Sequence, residues 1–156
     1  MSQITDQIWV GSYGEVCNDQ FLDERNITHI LCCAEEFTVR AGFPYSSDRI
    51  GHKVSLVDDI ADENTMTRFL EGASKLNEWV SDEKKVFVHC FAGMSRSVSV
   101  VITYFMVHKG WSYQIAFNHL KYCRRQTNPH PGYIPILQDI ESKLLAQPQQ
   151  CQSKDL

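Results

Sequence analysis

The sequence predicts an α/β fold in which a central, mostly parallel sheet is flanked by helices. Short apolar runs of strand length alternate with longer segments whose apolar residues recur at helical spacing. Residues 86–88 are β-branched and aromatic, as in a buried central strand, and residues 98–107 are apolar almost all round, as in a core helix. Strands that alternate with helices favour parallel pairing, because the helices provide the crossovers.

The elements follow one another without a linker or a repeat. Strands are predicted at residues 8–10, 28–33, 53–57 and 86–88. Helices are predicted at residues 19–26, 64–80, 98–107, 113–125 and 134–145. Residues 35–49, rich in Gly, Pro and Ser, form a loop. Gly110 ends the helix before it, Ser112 caps the next helix, and Pro129 and Pro131 separate that helix from the last one.

The composition is that of an ordinary globular domain. The chain has 156 residues, of which 43% are hydrophobic and 22% charged, and its formal net charge is -4. A protein that binds nucleic acid is usually strongly basic, so this charge argues against such a partner. No apolar run has the length of a membrane span, and no membrane anchor is expected. Residues 1–145 are predicted to form one domain, and residues 146–156 a polar, disordered tail.

The six cysteines, at positions 17, 32, 33, 90, 123 and 151, form no C-x-x-C pair. A zinc ribbon or a thioredoxin-type redox site is therefore not expected. The first ten residues lack the basic and apolar regions of a signal peptide. The thiols are predicted to be reduced and the protein to be cytoplasmic or nuclear. No metal and no cofactor are expected.

The segment HCFAGMSRS, from His89 to Ser97, contains the residues that predict a phosphate-binding site. It joins a buried strand to a buried helix, and open α/β sheets bind their ligands at such strand ends. Its amides can surround an anion, Gly93 permits a tight turn, and Arg96 offers two parallel donors to phosphate oxygens. The predicted phosphate-binding residues are Phe91, Ala92, Gly93, Met94, Ser95 and Arg96.

Cys90 stands at the start of this loop and is the predicted nucleophile. The field that holds a phosphate also stabilises a thiolate, which is the reactive form of cysteine. The hydroxyl of Ser97 can donate to the sulfur and help it to leave in a second step. His89 precedes the nucleophile and is predicted to order the loop by hydrogen bonds rather than to act as an acid or a base.

The string HCFAGMSRS resembles the H-C-x-x-G-x-x-R-S/T signature of the protein tyrosine phosphatase superfamily. The A-G-x-S-R-S form is similar to that of the dual-specificity branch, and the chain looks like a compact, atypical member. The resemblance covers nearly the whole chain except the tail, so it implies a catalytic domain over residues 1–145. It implies hydrolysis of phosphotyrosine, phosphoserine and phosphothreonine in proteins through a phosphocysteine intermediate.

The resemblance also implies a general acid on a loop upstream of the nucleophile. Residues 57–63 (VDDIADE) offer several carboxylates after a predicted strand. Asp59 fits the family best, because it lies ten residues before Phe69, the aromatic residue that anchors the next helix. Asp58 is the alternative, whereas Asp62 and Glu63 fit the solvated start of a helix.

Two further positions leave alternatives open. The family often carries Pro-Asn-x-Gly-Phe, whose asparagine braces the phosphate loop, and here residues 129–133 are PHPGY. His130, in the place of the asparagine, either braces the loop through a ring nitrogen or lies on the surface. Arg124 and Arg125 either recruit phosphate or form a solvated helix end.

Cys32 and Cys33 end a predicted strand whose carboxyl end faces the same edge as the Cys90 loop. The segment from Cys33 to Glu35 resembles the place where some superfamily members keep a partner cysteine for the nucleophile. Cys33 is therefore the predicted redox partner of Cys90. The alternative is that both cysteines are small buried packing residues.

Other functions are weighed against a phosphoprotein phosphatase. A phosphate-binding pseudophosphatase is expected to lack Cys90 or Arg96, and both are present. A rhodanese-like sulfurtransferase or an arsenate reductase fits neither the AGMSRS ending nor the upstream aspartate. A phosphoinositide phosphatase tends to carry basic residues inside the loop, and residues 91–95 contain no lysine.

Overall fold

The computed structural model of the protein describes residues 1–38 and 48–147. The predicted loop at residues 35–49 is therefore described only at its two ends. Of the predicted tail, residues 148–156 lie outside the described residues.

A sheet of five strands forms the centre of the fold. The strands are β1 (Ser2–Gln3), β2 (Ile8–Gly11), β3 (His29–Cys32), β4 (Ile50–Lys53) and β5 (Val86–His89). Their order is β1-β2-β5-β3-β4, and every neighbouring pair is parallel except β1 with β2. The helices are α1 (Tyr13–Val16), α2 (Asp19–Glu24), α3 (Thr65–Ser81), α4 (Arg96–Lys109), α5 (Tyr113–Cys123) and α6 (Ile134–Leu145). The predicted mostly parallel sheet flanked by helices is confirmed.

Strand β5 lies inside the sheet, and its side chains are buried on both faces. It pairs with β2 on one side and with β3 on the other. The register aligns Gly11, His89 and Cys32 in one row. The three strands therefore end at the same edge of the sheet, and the segments that follow them meet there.

Different helices cover the two faces of the sheet. The larger core lies beneath α3 to α6 and includes Phe69, Val100 and Leu137. The smaller core lies beneath α1 and α2 and includes Leu22 and Phe87. Helix α4 runs through the larger core, which explains its continuous apolar sequence. None of the described helices is both long enough and apolar enough to cross a membrane.

Local capping signals fix the end of α4 and the start of α5. Gly110 ends α4 with a φ of 71°, in the left-handed conformation that glycine adopts without a steric penalty. Ser112 Oγ accepts a hydrogen bond at 3.1 Å from the amide of Ile115 and so starts α5. Both predicted boundaries are confirmed.

The strand predicted at residues 53–57 is wrong in its position. Strand β4 ends at Lys53, which pairs with Cys32, the last residue of β3. Beyond this pair, two backbone hydrogen bonds remain, from the Val54 amide to the Cys32 carbonyl at 2.8 Å and from the Glu35 amide to the Leu56 carbonyl at 2.9 Å, but the regular strand does not continue. Val54 and Leu56 are buried, and this produces the alternating pattern of a strand. The alternating pattern at residues 54–57 therefore reflects burial beyond the end of the regular strand.

Strand β1 and helix α1 are missing from the prediction because they are too short to show a period. They contain two and four residues, respectively. A capping box forms α1, in which Ser12 Oγ accepts from the Glu15 amide and the Glu15 side chain accepts from the Ser12 amide. That reciprocal pair was available in the sequence as the spacing of Ser12 and Glu15.

Candidate active site

The predicted phosphate loop connects β5 to α4 at the carboxyl edge of the sheet. It opens on a cavity of about 220 Å³. The residues that line the cavity are Asp58, Asp59, Cys90, Phe91, Ala92, Met94, Ser95, Arg96, Asn128, His130 and Pro131. The fold thus brings together the loop, the acidic segment and the proline-flanked segment, which are separate in the sequence.

The loop turns its carbonyl groups away from Cys90. Four consecutive carbonyls accept hydrogen bonds from donors behind the loop. The pairs are Phe91 O with Tyr13 N at 2.9 Å, Ala92 O with Arg124 Nη2 at 3.3 Å, Gly93 O with Arg124 Nε at 2.7 Å, and Met94 O with Asn128 N at 2.8 Å. In a trans peptide the N–H points opposite to the carbonyl, so the amides of residues 92–95 point inward. Inward amides in succession form an anion-binding concavity.

Arg124 braces this loop from behind. Its side chain is buried, and besides the two loop carbonyls its Nη1 reaches Ser2 Oγ at 3.0 Å and the Val10 carbonyl at 3.3 Å. Helix α5 ends at Cys123, and the extended backbone of Arg124 turns its side chain inward. Both alternatives predicted for Arg124, phosphate recruitment and a solvated helix end, are therefore wrong. Arg125 is exposed.

The Cys90 sulfur lies at the centre of the loop. Cys90 is 3% exposed, and its Sγ lies 3.3 Å from the Gly93 amide nitrogen and 3.3 Å from Ser97 Oγ. Both groups can donate a hydrogen bond to a negatively charged sulfur. Ser97 lies in the first turn of α4, so the positive end of the helix dipole faces the same point.

Gly93 allows the loop to pack against β2. Its φ is 70°, and a Cβ at this position would lie 2.5 Å from the Gly11 carbonyl oxygen and 2.7 Å from Arg124 Nη2. A side chain would therefore push the loop away from the strand and from its buried brace.

The Arg96 guanidinium has one edge free. Nη1 donates to Glu36 Oε1 at 2.6 Å and to the Leu56 carbonyl at 3.1 Å, and Nη2 donates to Glu36 Oε2 at 2.8 Å. These bonds use three of the five N–H groups of the guanidinium. The other two, on Nε and Nη2, lie side by side, and Nε has no hydrogen-bond partner among the described residues. This edge can take two oxygens of one phosphate.

Glu36 is a site residue that the sequence prediction missed. Hydrogen bonds from Arg96 lower the pKa of Glu36. Burial alone would lower the pKa of Arg96, but its hydrogen bonds and charge pairing with Glu36, together with the Cys90 charge, raise it. Both groups therefore stay charged, and the pair fixes the plane of the guanidinium. Nothing in the sequence distinguishes Glu36 from its neighbour Glu35.

His89 supports the loop from the core side. Its ring is fully buried, and Nδ1 donates to the Cys90 carbonyl at 3.0 Å. Burial lowers the pKa of His89 to about 4, so the ring is neutral at neutral pH. A neutral, fixed ring can order the loop but carries no proton to transfer to substrate.

The two candidate acids lie at different points of the cavity rim. Asp58 Oδ1 is 3.7 Å from Arg96 Nε, at the free edge of the guanidinium. Asp59 Oδ1 is 3.9 Å from His130 Nε2, and its side chain is 72% exposed. Asp62 instead accepts from the amide of Asn64 before α3, outside the cavity lining.

His130 contacts the loop through its backbone and the acidic segment through its ring. Its amide donates to Ser95 Oγ at 2.8 Å. Ring Nδ1 accepts from the Gly132 amide at 3.1 Å, which leaves Nε2 facing Asp59. Neither alternative predicted for His130, a brace through the ring or a free surface position, describes this arrangement.

Cys33 lies beside the loop at the end of β3. It is fully buried, and its amide donates to the His89 carbonyl at 2.7 Å. This bond follows the last registered pair, Cys32 with His89, and Cys33 and Cys90 are the residues that directly follow that pair in each chain segment. Burial raises the pKa of the Cys33 thiol well above its usual range, so it is protonated at neutral pH. Cys33 and Cys90 are not joined by a disulfide.

Comparisons with known proteins agree with this geometry. Residues 8–143 match the family model of the dual specificity phosphatase catalytic domain. The chain is 35% identical over 144 residues to Dual specificity protein phosphatase 1B of Arabidopsis thaliana, covering 92% of this chain and 83% of that protein.

Solved structures show the same architecture. The human tyrosine phosphatase-like serine/threonine/tyrosine-interacting protein superposes with a TM-score of 0.80 at 26% identity, covering 94% of this chain and 98% of that one. Human DUSP28 superposes with a TM-score of 0.81 at 23% identity, covering 93% and 95%, and so shares the fold. The chain therefore belongs to the dual specificity phosphatases, the protein phosphatases of the protein tyrosine phosphatase superfamily whose catalytic-domain model it matches.

Proposed function

We propose that this chain hydrolyses phosphotyrosine, phosphoserine and phosphothreonine in proteins through a phosphocysteine intermediate on Cys90. One observation carries the proposal: the unpartnered Nε of Arg96 and the inward amides of the loop converge on the cavity that holds the Cys90 sulfur. A phosphate bound there has its phosphorus next to a nucleophile and its oxygens on fixed donors.

In the first step the Cys90 thiolate attacks phosphorus. The sulfur–phosphorus bond forms as the bond to the leaving oxygen breaks. The loop amides and the free edge of Arg96 bind the three equatorial oxygens, where negative charge is spread in the transition state. Asp59 protonates the leaving oxygen.

In the second step the Asp59 carboxylate takes a proton from water. The water oxygen attacks phosphorus, the sulfur–phosphorus bond breaks, and inorganic phosphate is released. The Ser97 hydroxyl, 3.3 Å from the sulfur, donates to the departing thiolate. Protein donors supply the positive charge in both steps, so the proposed reaction needs no metal ion.

The test is hydrolysis of a chromogenic aryl phosphate in the presence of a metal chelator. Full activity is expected, and a strict requirement for a divalent ion would contradict the mechanism. Rapid acid quenching followed by mass spectrometry should find one phosphoryl group on the peptide that contains Cys90. Turnover without that adduct, or no turnover of any phosphate ester, would reject the proposal in favour of another nucleophile or of a pseudophosphatase.

Replacement of Asp59 with asparagine should selectively slow the hydrolysis of phosphate esters that have poor leaving groups. Asp58 lies against the guanidinium edge that phosphate would occupy, whereas Asp59 stands at the rim, where the leaving oxygen emerges. We expect an alkyl phosphate to lose roughly 100-fold in kcat and an activated aryl phosphate to lose much less, because the acid matters most for the more basic oxygen. Asp58→Asn is the matched control. If Asp58→Asn shows this pattern and Asp59→Asn does not, the general acid is Asp58.

The proposed substrates are phosphoproteins. The loop residues that line the cavity carry no charge apart from Arg96 and the Cys90 thiolate, and they include the exposed side chains of Phe91 and Met94. Lysine and histidine are absent from residues 91–95, so the loop offers no extra charge to a multiply phosphorylated headgroup. Phosphate release from phosphopeptides should exceed release from phosphoinositides, and the reverse order would reject this assignment. We also propose a cytoplasmic or nuclear location, where the free thiols stay reduced.

Cys33 is proposed to protect Cys90 from irreversible oxidation. Peroxide would oxidise the Cys90 thiolate to a sulfenic acid, and the Cys33 thiol would condense with it, forming a disulfide and releasing water. Cys33 and Cys90 directly follow the paired residues Cys32 and His89, and neighbouring strands lie about 5 Å apart, within the Cα range that a disulfide requires. After peroxide and then a thiol reductant, wild type should recover most of its activity and Cys33→Ser much less. The control is Cys17→Ser, which changes an exposed cysteine, and equal recovery in all three proteins would leave Cys33 as a packing residue.

A further inference from the structure

The hydroxyl group of Tyr133 lies against the segment that carries the two candidate acids. Tyr133 directly precedes α6, its residue is fully buried, and its hydroxyl donates to the Val57 carbonyl at 2.6 Å. Val57 directly precedes Asp58 and Asp59. One hydrogen bond therefore joins the residue that precedes α6 to the acidic segment of residues 57–60.

The acidic segment is a tight turn with little internal support. The Ile60 amide reaches the Val57 carbonyl at 3.4 Å, which closes a turn around Asp58 and Asp59. Asp59 has a φ of 57°, a left-handed conformation that non-glycine residues adopt at a cost. The bond within the turn is long, and the shorter bond from Tyr133 ends on the same carbonyl. The Tyr133 hydroxyl is therefore the firmer of the two constraints on the Val57 carbonyl.

The tyrosine itself is firmly held. Its ring packs edge-on against Phe69 of α3, with 5.2 Å between the ring centroids. The preceding residue, Gly132, lies so near Ala61 that an added Cβ would stand 3.3 Å from the Ala61 side chain. The segment before α6 thus packs along the acidic turn and against the helix that follows it.

The Tyr133 hydroxyl stays a donor over the working range of the enzyme. Burial raises the pKa of Tyr133 to about 12, although the nearby charge of Arg96 acts to lower it. A protonated phenol beside a carbonyl oxygen can only donate to it. The contact with Val57 therefore does not switch with pH near neutrality.

We propose that Tyr133 is a positioning residue for the acid: its hydroxyl holds the turn of residues 57–60 so that the Asp59 carboxyl stays at the leaving oxygen. This inference rests on the proposed function, since it assigns the acid to that turn. Positioning of an acid affects the chemical step and not the binding of phosphate. The loss of the hydroxyl should therefore appear in kcat and depend on the leaving group.

The test is Tyr133→Phe, which removes one oxygen and keeps the ring packed against Phe69. For an alkyl phosphate or a phosphothreonine peptide we expect kcat to fall roughly tenfold with KM unchanged. For an activated aryl phosphate the fall should be less than about twofold, because that oxygen hardly needs a proton. Tyr104→Phe is the matched control, since Tyr104 is a buried tyrosine outside the cavity lining, and it should leave all substrates unaffected.

The double variant Asp59→Asn/Tyr133→Phe separates positioning from general stability. If Tyr133 acts through Asp59, the second substitution adds no further leaving-group dependence. An equal loss with every substrate, or a further loss on top of Asp59→Asn, would overturn the inference. If Asp59→Asn itself shows no leaving-group dependence, the proposed acid fails. If Asp59→Asn shows it and Tyr133→Phe does not, only the role of Tyr133 fails.

Discussion

Replacement of Cys90 with serine is expected to abolish hydrolysis while leaving the phosphate site formed. The sulfur accepts a hydrogen bond from the Gly93 amide and lies 3.3 Å from the Ser97 hydroxyl; these groups can hold a thiolate but cannot generate an alkoxide from a serine hydroxyl. We expect kcat to fall by at least about 10⁴-fold, or about 5.4 kcal/mol of transition-state stabilisation. Steady-state hydrolysis of an aryl phosphate measures this loss.

Phosphopeptide binding distinguishes a lost nucleophile from a lost fold. Because the loop amides and Arg96 are unchanged in Cys90→Ser, calorimetry with a non-hydrolysable phosphonate analogue of the peptide should find binding within a few-fold of the wild-type value. The control is Cys123→Ser, on α5 and outside the cavity lining, which should keep full activity. Retention of more than about one hundredth of the wild-type rate in Cys90→Ser would show that another group attacks phosphorus, since that corresponds to less than about 2.7 kcal/mol.

Replacement of Arg96 with lysine is expected to cause the second large loss of activity. Lysine keeps the charge but offers a compact ammonium in place of the parallel Nε and Nη2 donors. It also cannot contact phosphate while holding both oxygens of Glu36, which lie 2.6 and 2.8 Å from the guanidinium nitrogens. We expect kcat/KM to fall at least about 100-fold, or about 2.7 kcal/mol.

Two comparisons isolate the contribution of the guanidinium edge. Arg125→Lys changes an exposed arginine next to the loop brace and should leave kcat/KM unchanged. Glu36→Gln keeps the free edge of Arg96 but weakens its anchor, and we expect a loss of roughly tenfold, smaller than that of Arg96→Lys. An Arg96→Lys enzyme within a few-fold of wild type would show that Arg96 does not clamp the phosphate.

Much of the fold follows from signals that act over a few residues. The buried strand at Val86–His89, the apolar helix after it, the left-handed end at Gly110 and the cap at Ser112 each depend on local sequence. The loop between β5 and α4 is local in the same sense, because its tight turn and its cysteine and arginine lie within seven residues. For this reason the mostly parallel sheet and the strand-loop-helix unit that carries Cys90 and Arg96 could both be predicted from the amino-acid sequence.

The rest of the site depends on contacts between distant parts of the chain. Glu36 meets Arg96 across 60 positions, and the Tyr133 hydroxyl meets Val57 across 76. No local pattern marks such residues, because a glutamate in a loop or a tyrosine before a helix is common in any fold.

The sequence by itself determined the fold class and the family, and it predicted Cys90 as the nucleophile, since these rest on local periodicity, turn chemistry and one contiguous motif. Only the tertiary structure decided that β4 lies at Ile50–Lys53, that Arg124 is a buried brace, and that the His130 ring faces Asp59. The physical reason is that pairing, burial and ring orientation depend on which surfaces meet when the sheet assembles. No individual position in the amino-acid sequence carries that information.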